Sequence, residues 1–141
     1  MGRPSRAEAS MRFFRTEKGS YGAGDLFLGL TVPEVRRLAL KHSAIDYRSI
    51  SKLLDSKWHE ARLLALVLLT ERSKRALKTR DNKIQKEVYD FFLSKIDRVN
   101  NWDLVDVCVT WVVGAHLMNR SDAIRKKWLR SKSLWERRIS Y

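Results

Sequence analysis

The sequence is short of almost everything that builds a disulfide, metal-bound or membrane-spanning protein. It has one cysteine, Cys108, so no disulfide framework can form within the chain. Its three histidines, His42, His59 and His116, share no ligand spacing, and without paired cysteines no metal site is expected. Two prolines and six glycines in 141 residues are too few for a sheet-and-turn architecture. No apolar run approaches ~18 residues, so no membrane span or membrane partner is expected. The start, Met1-Gly-Arg-Pro-Ser-Arg6, lacks the apolar stretch of a signal peptide, and Arg6 breaks the myristoylation pattern. A soluble, cytoplasmic protein is the resulting expectation.

Acids are also scarce. Sixteen Asp and Glu face 29 Lys and Arg, giving a formal net charge of +13 and a pI of about 10.3. Such a balance points to a polyanionic partner, nucleic acid before anionic membrane. The cations are unevenly placed. Arg72-Ser-Lys-Arg-Ala-Leu-Lys-Thr-Arg80 carries five and no acid, and Arg120–Tyr141 carries eight against Asp122 and Glu136. Either run alone is equally consistent with a solvated helix face.

What is present in quantity is helical periodicity, at 44% hydrophobic residues. Ser5 to about Arg15 reads as a short helix with Ala7, Met11 and Phe14 on one face. Lys18-Gly-Ser-Tyr-Gly-Ala-Gly-Asp25 is a glycine-rich loop, not a phosphate-binding loop, because no Gly-Lys-Ser/Thr follows. Thr31 is a cap candidate and Pro33 suits a helix start, with Val35, Leu38, Ala39 and His42 at helical spacing. Tyr47–Leu54 is a second short helix. Ser56 or Trp58 opens a third, whose Leu63–Leu69 stretch is apolar all round and therefore buried, with 72–80 as its exposed tail and following loop. Amphipathic Asn82–Ile96, a helix over 101–118, Ser121–Arg130 and a last helix from Leu134 complete the chain.

No stretch alternates with period two, so the fold is all-α. Amphipathic helices alternate with more buried ones, and the buried ones open near Trp58, Trp102 and Trp135. Spacings of 44 and 33 residues fit degenerate HEAT-like or armadillo-like helical hairpins. Such pairs stack into a solenoid, the second helices lining its concave side and their N-termini available to phosphates.

The chemistry gathers in Asn101-Trp-Asp-Leu-Val-Asp106. Asn100 or Asn101 can cap the helix, and Asp103 falls in the first turn, where the dipole favours a carboxylate. Asp106 lies beyond that turn, so capping does not explain it. Trp102 and Asp106, four apart, share one helix face. Two readings fit: a site, or a hydrophobic anchor beside a carboxylate paired with a neighbouring arginine. Cys108, in the apolar run that follows, reads as a small packed hydrophobe.

Four strings resemble one known family. Phe13-Phe … Tyr21-Gly-Ala-Gly-Asp25-Leu-Phe-Leu-Gly-Leu-Thr-Val-Pro-Glu-Val-Arg36 is followed in order by Glu60-Ala-Arg-Leu-Leu-Ala-Leu66, Asn101-Trp-Asp-Leu-Val-Asp106 and Leu134-Trp-Glu-Arg-Arg138. Together they resemble the AlkD-type DNA alkylation-repair glycosylases, HEAT-like proteins that excise N3- and N7-alkylated purines from duplex DNA. The resemblance implies Asp106 as catalytic carboxylate, Trp102 as active-site aromatic and Arg138 as the arginine facing them. Arg138 could fix a phosphate or hold Asp106 in place, or equally serve as an inter-repeat salt bridge. Arg36 is implied as a backbone contact, and Arg37, Trp135 and Arg137 are grouped with it as DNA-binding residues. The expected partner is duplex DNA containing alkylated purines, with no cofactor and nucleoid association when DNA is bound.

Family members continue for further repeats, so residues 1–141 read as a single helical-repeat domain, truncated at its C-terminus relative to the family. Ile139 and Tyr141 then end an unfinished helix, and self-association through an uncapped C-terminal face follows as an expectation. The competing reading is a catalytically inactive helical-repeat module that binds nucleic acid or another protein.

The charge yields a first prediction. Duplex binding should show no strong sequence preference, and if about four phosphates are contacted, log affinity should fall against log salt with a slope of about −3.6. A salt titration of duplex binding measures it; a salt-insensitive complex would contradict it.

Overall fold

The computed structural model describes residues 2–13, 24–118 and 120–141; most of the glycine-rich loop, and Phe14 and Arg15 of the first expected helix, lie outside them. Among the described residues, nine α-helical segments follow in order: α1 (Pro4–Phe13), α2 (Val32–Lys41), α3 (Tyr47–Leu54), α4 (His59–Thr79), α5 (Asn82–Ser94), α6 (Trp102–Cys108), α7 (Ala115–Leu117), α8 (Ala123–Leu129) and α9 (Leu134–Ser140). A 3₁₀ turn, Ile96–Arg98, precedes α6, and a π-helical stretch, Val109–Gly114, joins α6 to α7. Among the described residues there is no strand beyond one isolated bridge, Leu26 with Trp58. The all-α expectation holds.

The chain divides into two compact units, Met1–Leu68 and Leu69–Tyr141. In the first, α2 starts where local chemistry says it should. Thr31 and Glu34 form a reciprocal capping box, with Pro33 in the first turn. Arg6 of α1 reaches the same Glu34 at 3.2 Å. Asp46 caps α3 through the Ser49 backbone N–H at 2.8 Å. Val35, Ala39, Ile50 and Leu54 then bury with Leu63, Leu66 and Leu68.

The entry to α4 is polar and buried. Its first turn presents Glu60, whose two carboxylate oxygens accept from the backbone N–H groups of Leu28 at 2.8 Å and Gly29 at 3.0 Å. Gly29 sits at φ 81, and a Cβ there would run into the Arg3 carbonyl oxygen, so only glycine fits. Asp25 pairs with Arg62 (2.6 Å) and with His59 Nδ1 (3.2 Å), all three side chains nearly inaccessible. The loop before α2 is thus clamped to α4 by charge as well as by the bridge at Leu26.

The second unit takes its core from Leu69, Ala76, Val88, Phe92, Leu104, Val105, Val112, Val113, Trp128 and Ile139. One expectation changes here. The basic run is the helix's tail but not a loop: α4 continues to Thr79, with Arg75 and Lys78 exposed and Ser73 and Ala76 buried. Lys, Arg, Ala and Leu are good helix formers, and buried side chains at 69, 73 and 76 extend the apolar stripe. Arg80, at φ 55, ends the helix, and the Asp81 N–H donates back to the Ala76 carbonyl at 2.8 Å.

The Asp25 cluster generates a prediction. Burial would raise the Asp25 carboxyl, but the His59 hydrogen bond and the charges of Arg62 and His59 outweigh it and hold its pKa below the ordinary 3.8. A depressed carboxylate contributes stability that is fully present above pH 3.8 and is lost as pH falls through its lower folded value. Asp25→Asn strands the Arg62 charge and should lower neutral-pH stability by ~3–5 kcal/mol. Thermal melts at pH 7 and below pH 4 check this: the gap between variant and wild type should narrow in acid.

Candidate active site

α6 begins at Asn101, whose extended backbone (φ −150, ψ 155) and side-chain oxygen cap it by accepting from the Trp102 N–H at 2.8 Å. Asn101 is fully buried, and its Nδ2 has no hydrogen-bond partner among the described residues. Asp103 occupies the first turn, as its charge prefers. Leu104, Val105 and Cys108 face inward, and that inward face fixes which side Trp102 and Asp106 present. Trp102 is partly buried, and Asp106 is exposed one turn on.

Asp106 meets Arg138 of α9 in a two-pronged ion pair. Arg138 Nε donates to Oδ1 at 2.9 Å and Nη2 donates to Oδ2 at 2.7 Å. Fork-to-carboxylate geometry fixes orientation as well as charge. The hydrogen bond to Asp106 raises the Arg138 pKa further above its ordinary value, so the guanidinium stays charged throughout the working range. Each side chain retains 46% of its exposure, so water weakens the pair's Coulomb attraction. The pair is therefore a surface feature.

The helix after Asp106 widens at Val109–Gly114. A π turn shifts hydrogen bonds from i+4 to i+5 and leaves carbonyl capacity unfilled. Two hydroxyls of α4 donate into this region: Thr70 to the Val107 carbonyl at 3.1 Å and Ser73 to the Trp111 carbonyl at 2.5 Å. Cys108 lies at the junction, fully buried, its Sγ within 3.2 Å of the Leu104 carbonyl oxygen and 3.4 Å of Val105's. Burial pushes its thiol pKa far up, which suits packing and not nucleophilic chemistry. His116 is buried, stacks on Tyr89 at 4.0 Å, and has its pKa lowered by burial and by Arg120.

The remaining sequence candidates are distributed as follows. Trp135 is partly buried on α9 beside Arg137 and Arg138. Arg137 donates from one guanidinium nitrogen to the Ser131 and Lys132 carbonyls at 2.7 and 3.1 Å, bracing the loop before α9. Arg36 and Arg37 lie exposed on α2, in the first unit. Among the described residues no group of three or more His, Cys, Asp or Glu could hold a metal ion, and no helix is long and apolar enough to cross a membrane.

Sequence reasoning missed the Asp25–His59–Arg62 cluster and the hydroxyl pair on α4. Glu60-Ala-Arg62 carried the first signal, since charges opening an apolar helix need buried partners. Thr70 and Ser73 gave none, because their acceptors lie 37 and 38 residues away.

Across residues 1–141 the sequence matches the DNA alkylation repair enzyme family, and the chain belongs to it. Its all-α, helical-repeat fold is that family's fold. No curated protein and no solved structure matches the chain.

The cap makes the site's local stability testable. Asn101→Ala removes the side-chain cap of α6 and should cost about 1 kcal/mol, while Asn101→Ser, which keeps a capping oxygen, should recover most of it. Thermal unfolding of both variants decides; equal losses would show that the cap is not what the amide supplies.

Proposed function

We propose that this repair enzyme is a monofunctional DNA glycosylase that hydrolyses the N-glycosidic bond of cationic N3- and N7-alkylated purines in duplex DNA. The observation that carries the reading is the two-pronged Asp106–Arg138 pair, one helical turn from Trp102. A purine alkylated at N3 or N7 already bears positive charge. Its bond to C1′ breaks with both electrons going to the base, which leaves neutral and needs no strong general acid. Water then adds its oxygen at C1′ and releases a proton. The demand on the protein is to stabilise the cationic sugar and to place that water.

Asp106 suits both tasks. Two of its lone pairs accept from Arg138, and the remaining ones stay available for a water or for the developing positive charge. Arg138 holds the carboxylate in one orientation, so it need not reorganise during the reaction. DNA laid over a half-exposed pair would displace water and strengthen the electrostatics that solvent otherwise weakens. The Trp102 indole can hold cationic sugar or base by a cation–π contact of roughly 0.5–2 kcal/mol. Arg36, Arg37, Trp135 and Arg137 are proposed as DNA contacts, consistent with the net charge of +13.

Asp106→Asn is the decisive substitution. Asparagine preserves size and removes the charge opposing the cation. Excision of methylated purines from duplex DNA should fall ~10²–10³-fold with DNA affinity nearly intact. Because the pair is half-exposed, stability should drop by only about 1 kcal/mol or less. Asp103→Asn is the comparison, expected to lose a few tenths to about 1 kcal/mol of helix-end stability and little excision. Excision that falls equally in both variants and tracks their melting temperatures would sink the catalytic assignment in favour of an inactive binding module.

A further inference from the structure

The most exposed part of α4 lies away from its buried stripe and carries a charge pattern that the proposed reaction does not use. At helical spacing Lys74 and Lys78 stand one turn apart on the same face, with Arg75 beside them. Like charges at i and i+4 repel, so this face is more comfortable with an anion on it than without. Only Lys74 has an acid close by, Glu71 at 3.1 Å. No carboxylate among the described residues is paired with Arg75 or Lys78.

Beside this face lies Trp111, on the π-helical stretch, 43% exposed. The Lys74 ammonium sits 5.4 Å from its ring centroid. Ser73, one residue before Lys74, holds the Trp111 carbonyl, so backbone and ring are both tied to the same turn of α4. An exposed indole at the edge of a mostly cationic face offers apolar surface for a sugar and charge for its phosphates. Duplex DNA backbone presents both.

We infer that Trp111, Lys74, Arg75 and Lys78 form a second DNA-backbone contact, acting separately from the Asp106–Arg138 pair. It rests on DNA as the substrate of the family and not on the excision chemistry. Its function is to add affinity and to orient the duplex without reading sequence.

The test is equilibrium binding of the whole chain to an unmodified duplex across a salt series. Three chains are compared: the wild type, the triple variant Lys74→Ala/Arg75→Ala/Lys78→Ala, and Trp111→Ala. If each cation covers one phosphate, the triple variant's log–log salt slope should be shallower by about 2.7. Trp111→Ala should weaken binding several-fold with the slope unchanged, because it removes contact surface and no charge. Melting transitions of all three should lie close together, since the Lys74–Glu71 pair is half-exposed and Ser73 bonds only the backbone of Trp111. A triple variant with wild-type slope and affinity overturns the contact, even if the wild type excises methylated purines normally. A wild type that excises nothing, yet whose slope drops as stated in the triple variant, upholds the contact and removes the glycosylase reading. A wild type without salt-dependent duplex binding overturns the contact outright.

Discussion

Two hydroxyl groups on α4 set the geometry of the second unit. Thr70 and Ser73 donate to the Val107 and Trp111 carbonyls, where the helix carrying the site changes from α to π. Without donors, part-buried carbonyls at a widened turn would be left short of partners, a penalty of up to roughly 1–3 kcal/mol each. With them, the wide turn is tolerated and every residue beyond it is rotated relative to an uninterrupted helix. The side chains before the turn, Trp102 and Asp106, are thereby set on a different face from Val112 and Val113 within it and His116 after it. The apolar face packs against α5, and α6 packs on α9, where Arg138 waits for Asp106.

Local signals were readable in the sequence wherever they act within one turn. Thr31 with Pro33 and Glu34 marked the start of α2, Tyr47–Leu54 was bounded correctly, and the Leu63–Leu69 run was buried as its all-round hydrophobicity required, apart from a partly exposed Leu64. Trp102 and Asp106 stood out because a charge beyond the first helical turn has no capping role. What could not be read was long-range. Asp25 lies 34 residues from His59 and 37 from Arg62, and no periodicity encodes a pairing across that distance. Arg138 was identified through family resemblance, not through spacing. The α–π junction was invisible because the hydroxyls that donate to it lie on another helix, 37 and 38 residues away.

The two ionic clusters illustrate opposite uses of charge. Asp25, His59 and Arg62 are sealed, so their attraction operates where water does not compete and chiefly fixes how the loop before α2 meets α4. Asp106 and Arg138 are half in solvent, where an ion pair contributes little to stability. A pair that holds its geometry while contributing little to the fold can exchange solvent for a ligand without unfolding anything. That separation of duties is what a DNA repair enzyme needs from its charged groups.

The burial of Cys108 has a consequence of a different kind. Soft, ionised sulfur is the protein group most readily attacked by alkylating agents, and such agents are also what damages DNA bases. The single thiol of this chain is enclosed within the helix that bears Asp106, and its thiolate is suppressed by burial. The chain therefore offers no accessible sulfur nucleophile from cysteine to the reagents that create the lesions its family repairs. Chemical survival under that exposure is a property of the packed core, independent of any step at the surface.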